Sequence, residues 1–178
     1  MNLDHTLGMV HDSTLWKFNI GWDGDAYTFP SHTGDGLLCG IFRRFPDGRK
    51  MWVGGSNLGL FVPLLETWEG NVFVTEGLSD SAAMVDAGYR SIARASCNSG
   101  VVHVKQFVAT KRMLRRVTVV ADNDEQGHNG AVELARQLYG CHCEVAVLFV
   151  PREYKDARMW YTDGLMSQDQ IIQRSQVL

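Results

Sequence analysis

Four acidic residues stand where carboxylates could act together. Glu76 and Asp80 lie in TEGLSD, directly after the apolar run VFV, and Asp122 and Asp124 lie in ADND, directly after VTVV. Alternate residues of an extended segment point to one side, so Asp122 and Asp124 can face the same crevice. Converging carboxylates repel one another, and a divalent cation relieves that repulsion. Hard oxygen donors favour Mg²⁺ or Mn²⁺. Such an ion can orient and polarise a phosphate group and stabilise an attacking or leaving oxygen. Each acid taken alone has a plainer reading, as the solvated cap of a following helix. The combination of four favours a shared site.

The acids need elements to bring them together. VFVT at 72–75, SIARA at 91–95, VTVVA at 117–121 and EVAVLFV at 144–150 read as strands. Between them, a helix capped by Ser79 or Asp80 is expected to run through AAMVDA and stop at Gly88. A second is predicted over Val101–Leu114. A third carries Ala131, Leu134, Ala135 and Leu138 and stops at Gly140. This alternation predicts an α/β fold with a central parallel sheet flanked by helices. In such sheets the functional crevice lies at the carboxyl ends of the strands, where both acidic segments fall. Before residue 70 the pattern changes. Leu37–Phe42 and Met51–Val53 read as strands around the PDG turn at 46–48. The expected division is a small N-terminal β-rich subdomain over 1–70, an α/β domain over 71–164, and a polar, helical or frayed tail over 165–178.

Composition is consistent with this. The chain has 178 residues, 45% hydrophobic and 21% charged, with a formal net charge of -3. That is globular composition and carries no overall basic excess to announce nucleic-acid binding. Residues 1–70 hold eight acids and five bases, whereas 71–178 hold twelve of each. No apolar run is long enough to span a bilayer, and MNLDHTLG does not read as a signal peptide. Cys39, Cys97, Cys141 and Cys143 form no disulfide framework, so reduced thiols in a cytoplasmic protein are expected. Neither a GxxxxGK[ST] loop nor a paired-Cys zinc ribbon is present. Cys141-His142-Cys143 lacks a second ligand pair for zinc and reads as structure. Cys97, in the Ser96–Gly100 loop, reads as an inert thiol.

TEGLSD at 75–80 and ADNDEQG at 121–127 resemble the two signatures of the Toprim domain, in which a Glu closes one strand and Asp-x-Asp closes a later one. The resemblance implies catalytic roles for Glu76, Asp122 and Asp124. It makes Gly77 the glycine of the turn and Asp80 the additional acid of the primase branch. A glycine there has a physical reason, since a side chain would crowd the turn. YKDARMWY at 154–161 is similar to the primase Lys-Asp pair, which implies a metal-associated Asp156 and a Lys155 that contacts phosphate or holds that acid. YTFPSHTGDGLLCGIFRRFPDGRKMWVGGSNLGLF resembles the small domain that precedes Toprim in such primases, through Phe29-Pro30, Gly36, Gly40, Arg44, Gly55-Ser56 and Leu60-Phe61. The whole resemblance covers about 22–161 and implies a Rossmann-like Toprim sheet.

Arg43, Arg44, Arg49 and Lys50 cluster across the expected hairpin, where they can meet phosphate or a nucleic-acid backbone. Lys111, Arg112, Arg115 and Arg116 form a second patch, which also suits a solvated helix end. Trp52 can stack on a base or pack within the hairpin. Arg94 is a weaker candidate for reaching the cleft.

The expected function is a metal-dependent DNA-primase-like nucleotidyltransferase core. It would use Mg²⁺ or Mn²⁺, nucleoside triphosphates and a single-stranded DNA template, with no membrane role. Helicase and zinc modules are expected as partners or as parts of a larger protein, and a reduced phage, plasmid or other mobile-element protein would also fit. The alternatives are a Toprim nuclease and a noncatalytic nucleic-acid-binding replication module.

Overall fold

The computed structural model describes residues 10–96, 99–164 and 167–177. Its elements run α1 (Asp12–Lys17), β1 (Gly21–Trp22), β2 (Tyr27–His32), β3 (Leu38–Arg44), β4 (Lys50–Trp52), β5 (Leu60–Phe61), β6 (Gly70–Thr75), α2 (Leu78–Asp86) and β7 (Ser91–Arg94). Then follow α3 (Val101–Thr110), β8 (Leu114–Ala121), α4 (Glu125–Leu138), β9 (Glu144–Phe149), α5 (Ala157–Thr162), α6 (Gln168–Arg174) and β10 (Ser175–Val177).

The continuous apolar runs of β6, β8 and β9 arise because both faces of those strands are covered. Val72, Val74, Val117, Val119, Val145 and Val147 face α3 and α4, in a core completed by Phe107, Leu134 and Leu138. Their alternates Phe73, Val120 and Leu148 face the other layer, with Met84 of α2, Trp160 of α5 and Ile171 of α6. A third apolar cluster joins α1, the N-terminal strands and α2 through Leu15, Phe29, Phe61 and Ala82. Buried Thr118 is not left unpaired, because its hydroxyl donates to Asn71 Oδ1 at 3.0 Å.

The strands form one sheet in the order β10-β9-β8-β6-β7-β5-β2-β3-β4, with β1 beside β2. Pairing is parallel between β6 and β7, β6 and β8, and β8 and β9. It is antiparallel at β10–β9 and from β7 through β5 into the N-terminal strands. The sheet is therefore mixed, with the expected parallel strands β9, β8, β6 and β7 side by side toward its β10 edge. The N-terminal strands extend it through β5, whose Leu60 and Phe61 pair with Arg94 and Ala93 of β7.

Other boundaries also differ from the sequence reading. The helix expected over 101–114 ends at Thr110, and Leu114 opens β8. Leu114 is buried as a strand residue, and one apolar residue at helical spacing cannot tell the two periods apart. Arg115 and Arg116 consequently lie within β8. The N-cap of α2 is Gly77, so Ser79 and Asp80 belong to the first turn. The tail forms α6, opened by a Ser167–Gln170 capping box, and then adds β10 to the edge of β9.

Asp86 ties three helices together. Its carboxylate accepts hydrogen bonds from Thr14 Oγ1 at 2.7 Å, from the Tyr161 hydroxyl, and from the His11 backbone and ring. Burial pushes its carboxyl up, but the bonds from Tyr161, Thr14 and His11 outweigh burial and hold its pKa below the usual value. A lowered pKa stabilises the fold above the unfolded value of about 4, and that contribution is lost as pH falls through the folded value. Asp86→Ala should cost about 2–3 kcal/mol in urea unfolding at neutral pH. It should also flatten the loss of stability expected below about pH 4.

Candidate active site

Parallel pairing brings the acids together. β6 and β8 are adjacent and paired as far as Val74 with Val119, so the chain leaves both strands side by side at Glu76 and Asp122. The turn after β6 is set by the Thr75 hydroxyl, which donates to the Gly77 carbonyl at 2.9 Å. Gly77 is extended, and a Cβ there would lie 3.0 Å from Asp80 Oδ2. The glycine thus leaves room for Asp80 to turn inward. Asp80 is 5% exposed, and its Oδ1 accepts the Arg158 backbone N–H at 3.1 Å.

Burial and neighbouring acids raise the pKa values of Asp80 and Asp122. Burial and then neighbouring Asp156 push Asp80 up to about 6. Burial, followed by Asp80, Glu76, Asp156 and Asp124, pushes Asp122 up to about 8. All five predicted acids therefore share one electrostatic neighbourhood. Among the described residues, no three His, Cys, Asp or Glu side chains already converge into a coordination shell. The acids share a field, and hard oxygen donors carrying that excess charge fit a divalent cation.

Two of the acids are also helix caps. Asp124 Oδ1 accepts the Gly127 N–H at 2.7 Å, and Asp156 Oδ1 accepts the Met159 N–H at 2.8 Å. Capping accounts for the backbone geometry at Asp124 and Asp156, but not for the inward position of Asp80 or the charge crowding at Asp122. Asn123, between the paired acids, clasps the loop that carries Lys155 and Asp156. Its backbone N–H donates to the Lys155 carbonyl at 2.8 Å, and its side-chain amide donates to the carbonyls of Arg152 and Tyr154. The Lys155 side chain is exposed beside this clasp.

The four predicted hairpin cations divide into two pairs. Register sets Arg44 opposite Lys50 and Phe42 opposite Trp52, on one face of β3 and β4. Arg44, Lys50, Phe42 and Trp52 all line a cavity of about 200 Å³ that reaches Gly77 and Ser79. Burial and then the nearby Arg158 guanidinium lower the Arg44 pKa, so two cations adjoin the acidic crevice. Arg43 and Arg49 are engaged elsewhere. Arg43 contacts Asp23 at 2.7 Å, Arg49 contacts Asp47 at 2.7 Å, and both guanidinium groups lie over the Phe45 ring.

The remaining candidates lie away from the acids or in supporting positions. Arg94 is 2% exposed and lines both the 200 Å³ cavity and a larger one beside α3 and α4. The second basic patch does not act as one unit: Lys111 lies over Phe107, and Arg116 pairs with Glu144 on β9 at 2.7 Å. Cys141 and Cys143 pack against the core ahead of β9 with their sulfurs 3.5 Å apart. Cys97 lies outside the described residues.

Sequence reading passed over Arg158, Asn123 and the packing role of Gly127. Arg158 stood within YKDARMWY, but nothing local indicated that it would meet Asp80 across the fold. Asn123 was visible only as the spacer of Asp-x-Asp. Gly127 closes the ADNDEQG segment, and a Cβ there would come within 2.8 Å of the Asp122 carbonyl oxygen. It lets α4 rest against the backbone that carries Asp122.

The family model described as Toprim-like matches residues 73–160, and the mixed sheet flanked by helices is consistent with a Toprim-like topology. The fold is structurally related to the catalytic domains of bacterial DnaG-type primases, at low sequence identity. The primase fragment of the bacteriophage T7 primase-helicase protein matches with a TM-score of 0.68 and 20% identity, over 95% of this chain and 71% of that one. The DnaG catalytic core matches with a TM-score of 0.71 and 14% identity, over 98% and 72% respectively. The DnaG primase catalytic domain bound to single-stranded DNA matches with a TM-score of 0.70 and 13% identity, over 98% and 70%. No curated protein sequence matches the chain.

The raised pKa values predict a pH dependence. Folding favours the protonated forms of Asp80 and Asp122, so the metal-free folded state holds more protons than the unfolded chain between about pH 4 and 8. Stability should fall as pH rises through that window. In chelator, the melting temperature should decline from about pH 5 to pH 8, Asp122→Asn should flatten the decline, and Mg²⁺ at pH 8 should restore stability. An equally steep decline in the variant would contradict charge crowding at Asp122.

Proposed function

We propose that this chain is the catalytic core of a primase-type nucleotidyltransferase that joins nucleotides on a single-stranded DNA template. The observation that carries the reading is the pairing of opposite fields. A group of carboxylates, in which burial and then acidic neighbours raise Asp122 to about 8, adjoins a cationic pair, Arg44 and Arg158. One side calls for a cation and the other for an anion. A nucleoside triphosphate with a divalent ion answers both needs.

Glu76, Asp122 and Asp124 would hold Mg²⁺ or Mn²⁺, with Asp80 and Asp156 supporting the same field. When bound, the ion would supply charge neutralisation and orientation of the reacting phosphate. Arg44, Lys50 and Arg158 would bind the phosphate oxygens and the charge that develops on the leaving pyrophosphate. Lys155 would contact phosphate from the loop clasped by Asn123. The 3′-hydroxyl oxygen bonds to the α-phosphorus as the bond to pyrophosphate breaks, and the hydroxyl proton passes to solvent, so no protein side chain becomes covalently attached. Helicase and zinc modules are the proposed partners for unwinding and template selection. The relation to a primase-helicase fold supports that proposal.

The test is primer synthesis by purified protein with Mg²⁺ or Mn²⁺, single-stranded DNA and labelled nucleoside triphosphates. Short labelled oligonucleotides are the expected product. Asp122→Ala and Asp124→Ala should each lower the rate by about 10²–10³-fold or more. Degradation of the DNA without incorporation would replace synthesis by nuclease action, and DNA binding without turnover would leave a noncatalytic module.

The division of the hairpin cations gives a second test. Arg44→Ala should reduce primer synthesis by about 10–100-fold. Arg49→Ala removes an exposed ion pair and should change it by no more than about 2-fold. Equal losses would show that the two faces of the hairpin are not functionally distinct.

A further inference from the structure

We propose that the cavity between the N-terminal hairpin and the start of α2 holds a single nucleobase and thereby sets where a nucleotide lies against the acidic crevice. This rests on the nucleotidyl-transfer reading and adds a base subsite to it. The walls are aromatic: Phe29, Phe42, Trp52 and Phe61. Trp52 is half-buried, with its ring centroid 5.2 Å from Phe42 and 6.1 Å from Phe61. Aromatic surfaces of this kind bind bases of any sequence, because every base presents a π-face.

Size and polarity narrow the occupant. The volume of about 200 Å³ is below the roughly 300–1,000 Å³ of drug-sized sites, so it suits one ring system and not a whole nucleotide. Sugar and phosphates would remain outside. The hairpin places cations there, since Arg44 and Lys50 stand two residues along the strands from Phe42 and Trp52 and on the same face. That offset is about 7 Å. Ser79 also lines the cavity and supplies a polar edge for ring heteroatoms. The base can belong to a mononucleotide or to an unpaired position of a single strand.

The test compares equilibrium binding of ATP with that of ribose 5-triphosphate, and of a short single-stranded DNA with the same strand carrying abasic sites. Stacking should give the base-bearing member of at least one pair an advantage of about 5- to 150-fold. Trp52→Ala should remove that advantage while leaving binding of the baseless ligand unchanged. Ala95→Leu, which fills the cavity from its lining, should do the same, with a thermal midpoint confirming that it folds. Trp52→Phe should keep most of the advantage. The pair that shows the advantage identifies the source of the base. No advantage in either pair overturns the proposal, as does an equal loss for both ligands in the variants. Binding needs no turnover, so the two readings can fail separately. Primer synthesis without a base advantage removes the subsite alone, whereas a base advantage without synthesis removes the catalytic reading alone.

Discussion

The parallel pairing of β6 with β8 is the constraint on which the rest depends. Two buried strands that end together must release their chains at one edge, and both chains continue into acids. The result is a carboxylate cluster in which burial and four acidic neighbours push Asp122 up to about 8. Such crowding opposes folding at neutral pH unless a proton or cation relieves it. The surrounding structure keeps the acids in place despite that cost.

Several packing devices do this work at once. Gly127 allows α4 to rest on the Asp122 backbone, and Gly77 leaves space for Asp80. Asn123 holds the 152–155 loop through three donated hydrogen bonds. Asp86 binds α1, α2 and α5 at the opposite end of α2, which steadies the helix capped by Asp156. The sheet itself supplies the counter-charge. Because β5 continues it antiparallel from β7 into the N-terminal strands, the hairpin bearing Arg44 meets the crevice. The N-terminal region therefore serves as one wall of the site.

Much of the α/β framework was legible in the sequence, for a specific reason. Strands covered on both faces leave unbroken apolar runs, and VFVT, VTVVA and EVAVLFV are such runs. Boundaries were less legible where one residue satisfied two periods. Leu114 suited the end of a helix by spacing and the start of a strand by hydrophobicity, and pairing with β6 decided between them. β10 was hidden because an edge strand need not be apolar, and Ser175–Val177 gains its structure from β9.

The site divides along a similar line. Sequence alone determined which residues could be chemically active, because acids placed immediately after strands have their direction set by local backbone geometry. It also displayed the aromatic and cationic residues of the hairpin. Only the tertiary structure decided which of those residues meet. Strand register sent Arg44 and Lys50 toward the crevice, while Asp23 and Asp47 engaged Arg43 and Arg49. Helix packing brought Arg158 to Asp80, 78 positions earlier in the chain. Charge crowding, burial and cavity shape arise from contacts between distant segments, so local spacing does not encode them.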